Sequence, residues 1–579
     1  MIGKQPRIRR PFRSRAGLVL RRAPGLVLLA AVSAVPWAAD APMTKTSPTV
    51  VITAGAAGVS REPGAVHFLD ADRYEHLGRL PVPPNPVCAS LGREEGIVYV
   101  LSAGPPGDSV DDPFGPGSLT AIDPRRRQAV ATIELGTDPK GASIANDGRH
   151  LYALSGGEPG RLSRLTIIDR RTHQELASVP TGFGARSFHQ SPDGRLVHVL
   201  HCDPRSVKLA RPCTLVTVDG HERKVIGKQS LSVGLGQVRL SEDGKLLYVR
   251  CGGYLCGHPG EDIPARLHVV DAETGKLVAS HEMGYRAGPL QLCPDCRRIF
   301  VSGRPKPEEG GVVRIVRGRE IASTIRVGGR PWHVWPGRDE DSAFVLCEDC
   351  VATVDLEHQR VTHEFHLDFQ PYRLLAAERG AHAYVAACDG SRLADLDLAS
   401  GTVRASIAIG EQHRRRDRRG PAPSGVPGLA PCAGPETTGL RFDVAGEHLF
   451  VLDTRNDIVA VVRLEEMRVV HTIDVGRGAS GLLVTPPTNQ VFVQSATQLT
   501  VIDGVTRKET CRVPLGKPGR LAAGPVVFRP DRNEVLVPGA RGVEVLDLAT
   551  GDHLRTVTGL TNARLIVVSP AGAASPAGG

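Results

Sequence analysis

The feature that most constrains this 579-residue chain is a short apolar core that occurs eleven times. Val98-Tyr-Val-Leu101 is typical. It returns as Leu151-Tyr-Ala-Leu154, Val197-His-Val-Leu200, Leu247-Tyr-Val-Arg250, Ile299-Phe-Val-Ser302, Ala343-Phe-Val-Leu346, Ala383-Tyr-Val-Ala386, Leu449-Phe-Val-Leu452, Val491-Phe-Val-Gln494 and Val535-Leu-Val-Pro538. An earlier copy stands at Val50-Val-Ile-Thr53. Adjacent copies are separated by 40 to 66 residues. Self-similarity at such a period marks propellers and other repeat arrays.

Each repeat carries four strand signals. The first runs into a turn such as Gln190-Ser-Pro-Asp-Gly194, Leu240-Ser-Glu-Asp-Gly244 or Ala145-Asn-Asp-Gly148. Pro presets φ there, Asp supplies a local acceptor, and Gly accepts a positive φ. The apolar core is the second signal. A third ends in an acid, as in Leu119-Thr-Ala-Ile-Asp123 and His268-Val-Val-Asp271. A fourth ends in Gly, as in Thr132-Ile-Glu-Leu-Gly136 and Thr472-Ile-Asp-Val-Gly476. Helical periodicity is missing, so βαβ units are excluded. Abundant Gly (65) and Pro (45) beside only 4% aromatic residues suit short strands and many turns. The expected fold is all-β: a β-propeller of about eleven four-stranded blades.

The succession Ser-Pro-Asp-Gly, apolar-aromatic-Val, apolar-Asp and Thr-Ile-x-Val-Gly resembles the bacterial YVTN-type β-propeller repeat over nearly all of residues 49–568. That resemblance implies a WD40-like fold and, for most relatives, a binding or surface role. Similar blades occur in lactonase-like enzymes and in propeller chains of oxidoreductases, so the fold does not decide the chemistry. Ordinary propellers have four to eight blades. Eleven units therefore predict two propellers, split five-plus-six or four-plus-seven, with a working division into 49–375 and 376–568. A loop insertion is expected at 411–438 and a disordered tail at 569–579.

Residues 1–39 read as a secretory signal peptide. Eight Lys and Arg, with no acid, precede or flank the apolar run from Gly25 to Val35. Eleven residues are too few to cross a bilayer. Removing those eight charges from a net +9 leaves the remainder near +1. That balance argues against a nucleic-acid partner, and no later segment reads as a transmembrane anchor. A periplasmic or extracellular location is expected.

Function is expected on the face with variable loops, 103–118, 155–163, 201–212, 251–265 and 303–311, because the short Ser-Pro-Asp-Gly turns are constrained by blade closure. Residues just after each blade-to-blade connection should ring the channel mouth. These include Lys140, Arg186, Gln237, Arg330, Trp332, His333, Tyr372, Arg520 and Arg564, with Trp335 on the same strand as Trp332. Their cations suit an anionic or polar ligand. Blade-to-blade bonding is the competing use of the same side chains.

The cysteines suggest local disulfides in an exported chain. Candidate pairs are Cys202–Cys213, Cys251–Cys256, Cys293–Cys296 and Cys347–Cys350. The two Cys-x-x-Cys pairs fall on opposite blade faces, so they do not make one four-cysteine zinc site. Neither the weak grouping of His201, Asp203, His258, Glu261 and Asp262 nor that of Asp108, Asp111 and Asp112 makes a persuasive metal site. No haem-attachment, zincin, nucleophile-elbow or phosphate-loop motif appears. The leading expectation is an exported, non-catalytic binding or scaffold propeller, without cofactor or resident metal, for a protein, polymer or small-molecule ligand. The alternative is a propeller-type enzyme or enzyme subunit.

Overall fold

A computed structural model describes residues 49–54, 61–92, 96–107, 115–156, 162–202, 212–234, 237–252, 264–293, 297–337, 339, 341–377, 381–410, 439–479, 481–485, 488–515, 526–539, 542–560 and 563–569. The expected leader, the 411–438 insertion and all but the first residue of the tail lie outside them.

The described residues form eleven four-stranded sheets. Ten are continuous in sequence: blade 2 (86–137), blade 3 (139–183), blade 4 (185–233), blade 5 (237–284), blade 6 (291–327), blade 7 (331–366), blade 8 (371–408), blade 9 (440–474), blade 10 (481–514) and blade 11 (527–558). Blade 1 is composite. Thr49–Ala54, Gly64–Asp70 and His76–Val82 supply three strands, and the C-terminal Ala563–Ser569 supplies the innermost. That last strand runs antiparallel to the first, with Val51 opposite Val567.

The terminal acid of the third strand is a turn device. Oδ1 of Asp503 accepts from the amides of Val505 (2.8 Å) and Thr506 (2.7 Å). Asp70, Asp123, Asp169, Asp219, Asp271, Asp397 and Asp547 repeat the arrangement. Each carboxylate thus satisfies two turn amides that strand pairing leaves over.

The apolar core strand is buried on both faces, which is why it reads as a continuous run rather than an alternation. Val98 and Val100 pack against Val51, Val66 and Phe68 of blade 1, whereas Tyr99 and Leu101 pack against Leu151 and Ala153 of blade 3. Successive side chains point to opposite neighbours. Where the second core residue carries a polar tip, the tip crosses to a later turn. Tyr152 donates to the Gly194 carbonyl (2.8 Å), Tyr248 to that of Gly318 (3.0 Å), and His198 Nε2 lies 2.8 Å from that of Ala272.

The expected division into two propellers is corrected by these interfaces. Eleven apolar clusters fill the described core, and each joins one blade to the next, from blades 1–2 through blades 10–11. The eleventh joins blade 11 to blade 1: Leu536, Val543, Val545 and Val557 pack on Ile52, Leu69 and Tyr74. A chain of two propellers would break this series where one ring closed and the other began. Eleven blades need a turn of only about 33° between neighbours, so less extra volume must be filled toward the rim. Small residues suffice, as where Ala383 and Ala394 face Phe344 and Leu346 between blades 7 and 8. Phe365 is fully buried in that interface, and Phe365→Ala should cost about 3–5 kcal/mol.

The closing seam also carries a buried polar network. Tyr74 of blade 1 donates to Glu534 of blade 11. Arg529 Nη1 donates to the Tyr74 hydroxyl (3.0 Å) and to the Ala71 carbonyl (2.7 Å). All three side chains are nearly inaccessible.

Candidate functional site

The innermost strand of each blade borders the central channel. These eleven strands contain Lys140, Arg186, Arg239, Arg373, Arg441, Arg529 and Arg564, the imidazoles of His189 and His333, and no Asp or Glu. Turns and outer strands carry the acids instead. Arg529 is committed to the closing seam and only the backbone of Arg564 is described, so Lys140, Arg186, Arg239, Arg373 and Arg441 are the cations that bias the inner wall toward anions.

A recurrent irregularity fixes how the mouth is built. In six inner strands one residue lies between two consecutive register pairs without an opposite number of its own: Val87, Lys140, Arg186, Trp332, Tyr372 and Arg564. Each is the extra residue of a β-bulge, a device that bends the strand and re-aims a side chain. Five of the mouth residues expected from the sequence thus share one structural position. Pro precedes the bulge in four of the six blades, where its missing amide does no harm at an inner edge.

Their partners differ. Lys140 forms an ion pair with Asp138. Arg186 Nε donates to the Cys202 carbonyl (3.2 Å). Arg330, just before the blade 7 strand, is exposed and pairs with Glu348 (3.3 Å), which Arg286 also approaches (3.5 Å). Trp332 stacks on Tyr372 of the next blade, with ring centres 4.9 Å apart and planes inclined by 17°. His333 sits between Trp332 (5.5 Å) and Trp335 (5.2 Å). Both indole N–H groups are inaccessible and have no hydrogen-bond acceptor among the described residues. This aromatic group serves both as a seam between blades 7 and 8 and as a rigid wall. Arg520 lies outside the described residues, and of Arg564 only the backbone is described, between the paired Ala563 and Leu565.

Four further inner-strand cations were not singled out from the sequence: Arg239, Arg373, Arg441 and Arg529, the last of which serves the closing seam. Arg239 and Arg441 correspond through their register to Tyr248 and Phe450, the second residues of their cores. Each donates Nη1 to the carbonyl just before it in sequence, Val238 (3.1 Å) or Leu440 (3.2 Å). Arg373 follows the Tyr372 bulge and makes no carboxylate ion pair among the described residues. Its guanidinium reaches the backbone of Gly439, just before the first strand of blade 9, where Nη1 occupies the place a Cβ would take. Burial lowers the pKa of Arg373, so its charge is held at some cost. Nothing in the apolar-core alignment marks these arginines. The signal available was the lack of acids in all inner strands taken together.

The imidazoles do not add charge at neutral pH. Burial lowers His189 to about 4, helped by the charges of His198 and Arg239, and burial lowers His333 to about 4. They remain hydrogen-bonding groups.

Of the cysteine pairs, Cys202–Cys213 is a disulfide with Cα atoms 4.7 Å apart. It ties the end of the second strand of blade 4 to the start of its third. Cys347 and Cys350 flank the two-residue turn of a blade 7 hairpin, and they are thiols in mutual contact and not the expected disulfide. Both are buried. The hydrogen bond with Cys350 and burial raise Cys347, while the same bond lowers Cys350. Gly329 is the space they occupy, since a Cβ there would lie within 3.0 Å of both sulfurs. Cys251 and Cys293 are buried, and their expected partners Cys256 and Cys296 lie outside the described residues.

No protein-family model matches the chain, and no curated protein matches it. Solved structures do. Dihydro-heme d1 dehydrogenase NirN in complex with DHE is 15% identical, with 84% of this chain and 77% of that one covered and a TM-score of 0.35. A hydrazine synthase of Kuenenia stuttgartiensis is 14% identical over 62% of this chain and 96% of its own, with a TM-score of 0.28. A eukaryotic initiation factor is 9% identical over 82% and 97%, with a TM-score of 0.38. The chain itself is a β-propeller of eleven four-stranded blades.

Proposed function

We propose that this chain is an exported, non-catalytic binding or scaffold propeller of the YVTN type that receives an anionic ligand at its central channel. One observation carries the reading: the eleven inner strands hold seven Lys and Arg residues and no carboxylate. Arg373 adds weight, because a half-buried guanidinium with no acid beside it among the described residues is held at a cost that a bound anion would offset. Arg239 and Arg441 would share the ligand, with Arg186 at the mouth. The Trp332–Tyr372 stack would form a rigid wall. Neutral His189 and His333 would donate or accept hydrogen bonds. An acid–base enzyme would instead need a carboxylate or a histidine titrating near neutrality, and the inner strands supply no carboxylate.

The test is a binding titration with citrate, pyrophosphate and a sulfated oligosaccharide, read by tryptophan fluorescence and calorimetry. At least one should bind with an affinity that falls as salt rises, because the contacts are charge pairs. Arg373→Met combined with Arg441→Gln should weaken that binding by roughly tenfold or more, the value of about one charged hydrogen bond or two. Binding that ignored both substitutions, or no binding by any probe, would remove the channel as the anion site.

A further inference from the structure

The turn face, opposite the variable loops, holds the one grouping among the described residues in which three metal-ligating side chains converge: Asp147, His150 and His221. Asp147 belongs to the Asn-Asp-Gly turn of blade 3, and His150 opens the strand that follows it. His221 belongs to the turn between the last two strands of blade 4. His150 Nδ1 lies 2.6 Å, and His221 Nε2 3.3 Å, from the same oxygen, Oδ2 of Asp147. All three donor atoms fall within 4.8 Å of one another.

We propose that Asp147, His150 and His221 bind one divalent transition-metal ion of the zinc class, which clasps blade 3 to blade 4. Two imidazoles and one carboxylate are a donor set suited to such an ion. Donors around tetrahedral zinc, each about 2.0–2.1 Å from the metal, stand roughly 3.3 Å apart. The Asp147–His221 separation already has that value, and the Asp147–His150 pair needs to open by about 0.7 Å on that same geometry.

The surroundings prepare the site. Oδ1 of Asp147 accepts from the amides of Arg149 (2.8 Å) and His150 (3.1 Å), which leaves Oδ2 to face the imidazoles. The blade 3 turn is docked on the first turn of blade 4 without a metal: the Asn146 amide donates to Gln190 Oε1 (2.9 Å), and Asn146 Nδ2 donates to the Ser191 carbonyl (2.9 Å). Tyr152 stacks beside the His150 ring. Asp219 is engaged by Arg195 through two bonds (2.9 and 2.7 Å), so it is not a ligand. His221 is half exposed, which leaves the metal a position open to solvent, as three-ligand sites have.

An internal control is built into the ring. Asp355 and His358 on blade 7 reproduce the Asp-x-x-His pair, with Nδ1 and Oδ2 2.9 Å apart, but no third ligand joins them among the described residues. The experiment is calorimetric titration of zinc chloride into the chelator-treated, tag-free full chain, with cobalt(II) absorbance as a second readout. Wild type should take up one equivalent and show the intense visible bands of low-coordinate cobalt. His221→Ala and Asp147→Asn should each weaken zinc at least roughly tenfold. His221 is on the surface, and Asn keeps the Oδ1 acceptor, so both variants should fold; unchanged metal-free melting checks this. His358→Ala should bind as wild type. The proposal is overturned if no saturable zinc uptake occurs, or if His221→Ala binds as tightly as wild type.

Discussion

Replacing Tyr74 by Phe removes one oxygen from the seam that closes the ring. That hydroxyl donates to Glu534 and accepts from Arg529 across the boundary between blades 1 and 11. The ring of Tyr74 also lies under the Arg555 guanidinium at 5.1 Å, a contact that Phe retains. Arg529 keeps the Ala71 carbonyl and Asp531 (3.1 Å), and Glu534 keeps Arg532 (3.4 Å), so neither charge is stranded completely. The loss should then be that of hydrogen bonds to charged groups, about 1.5–3 kcal/mol. The blade packing is untouched, so the effect should be local opening and not a uniform loss of stability. Hydrogen exchange followed by mass spectrometry reads it directly. Amides of Thr49–Ala54 and Ala563–Ser569 should exchange roughly 10- to 100-fold faster, because each 1.4 kcal/mol is about a factor of ten. Blades 5 to 8 should be unaffected. Equal acceleration everywhere, or none at the seam, would refute the reasoning that this network holds the closure.

Acidification should act in two windows. Burial lowers His67, His189, His201, His268 and His333 to about 4. Their neutral forms therefore stabilise the fold above the ordinary histidine pKa, and that contribution is lost as pH falls from about 6.5 toward 4. Hydrogen-bonded turn carboxylates such as Asp70, Asp169 and Asp397 lie below the ordinary 3.8, so a second loss should follow at still lower pH. A melting temperature flat from pH 6.5 to 4 would contradict the first window. Asp503→Ala strands two turn amides and should cost about 1–2 kcal/mol, whereas Asp503→Asn should cost less; urea melts distinguish them. Mass mapping should find Cys202 linked to Cys213, with Cys347 and Cys350 alkylated only after unfolding. A Cys347–Cys350 disulfide in freshly folded protein would contradict the thiol assignment.

Much of the blade was legible because local chemistry specifies it. The apolar core predicts a strand covered on both faces, and Val98 and Tyr99 show this by serving opposite neighbours. Asp503 could be recognised as a turn residue because its role is completed within three positions. The mouth residues Lys140, Arg186, Trp332 and Tyr372 could be placed on the inner strand from their distance to the core. Their common bulge could not, since it appears only when two strands are in register. Ring size was read wrongly for a related reason. The pairing of Thr49–Ala54 with Ala563–Ser569 spans the whole chain, and the repeat itself does not distinguish a closing strand from an eleventh blade's successor. His221 was overlooked because the turn face was read as structural. Asp147-x-x-His150 was visible in the sequence, but its third partner comes from the next blade.

The ring with a carboxylate-free inner wall is the claim on which the functional reading rests. Projection images of single particles viewed down the axis test it most directly. The account predicts one ring with eleven radial sheets around an open centre, with Ala563–Ser569 completing the sheet that begins at Thr49. Two smaller rings side by side, each with its own closure, would contradict it and would disperse the channel arginines between two separate walls.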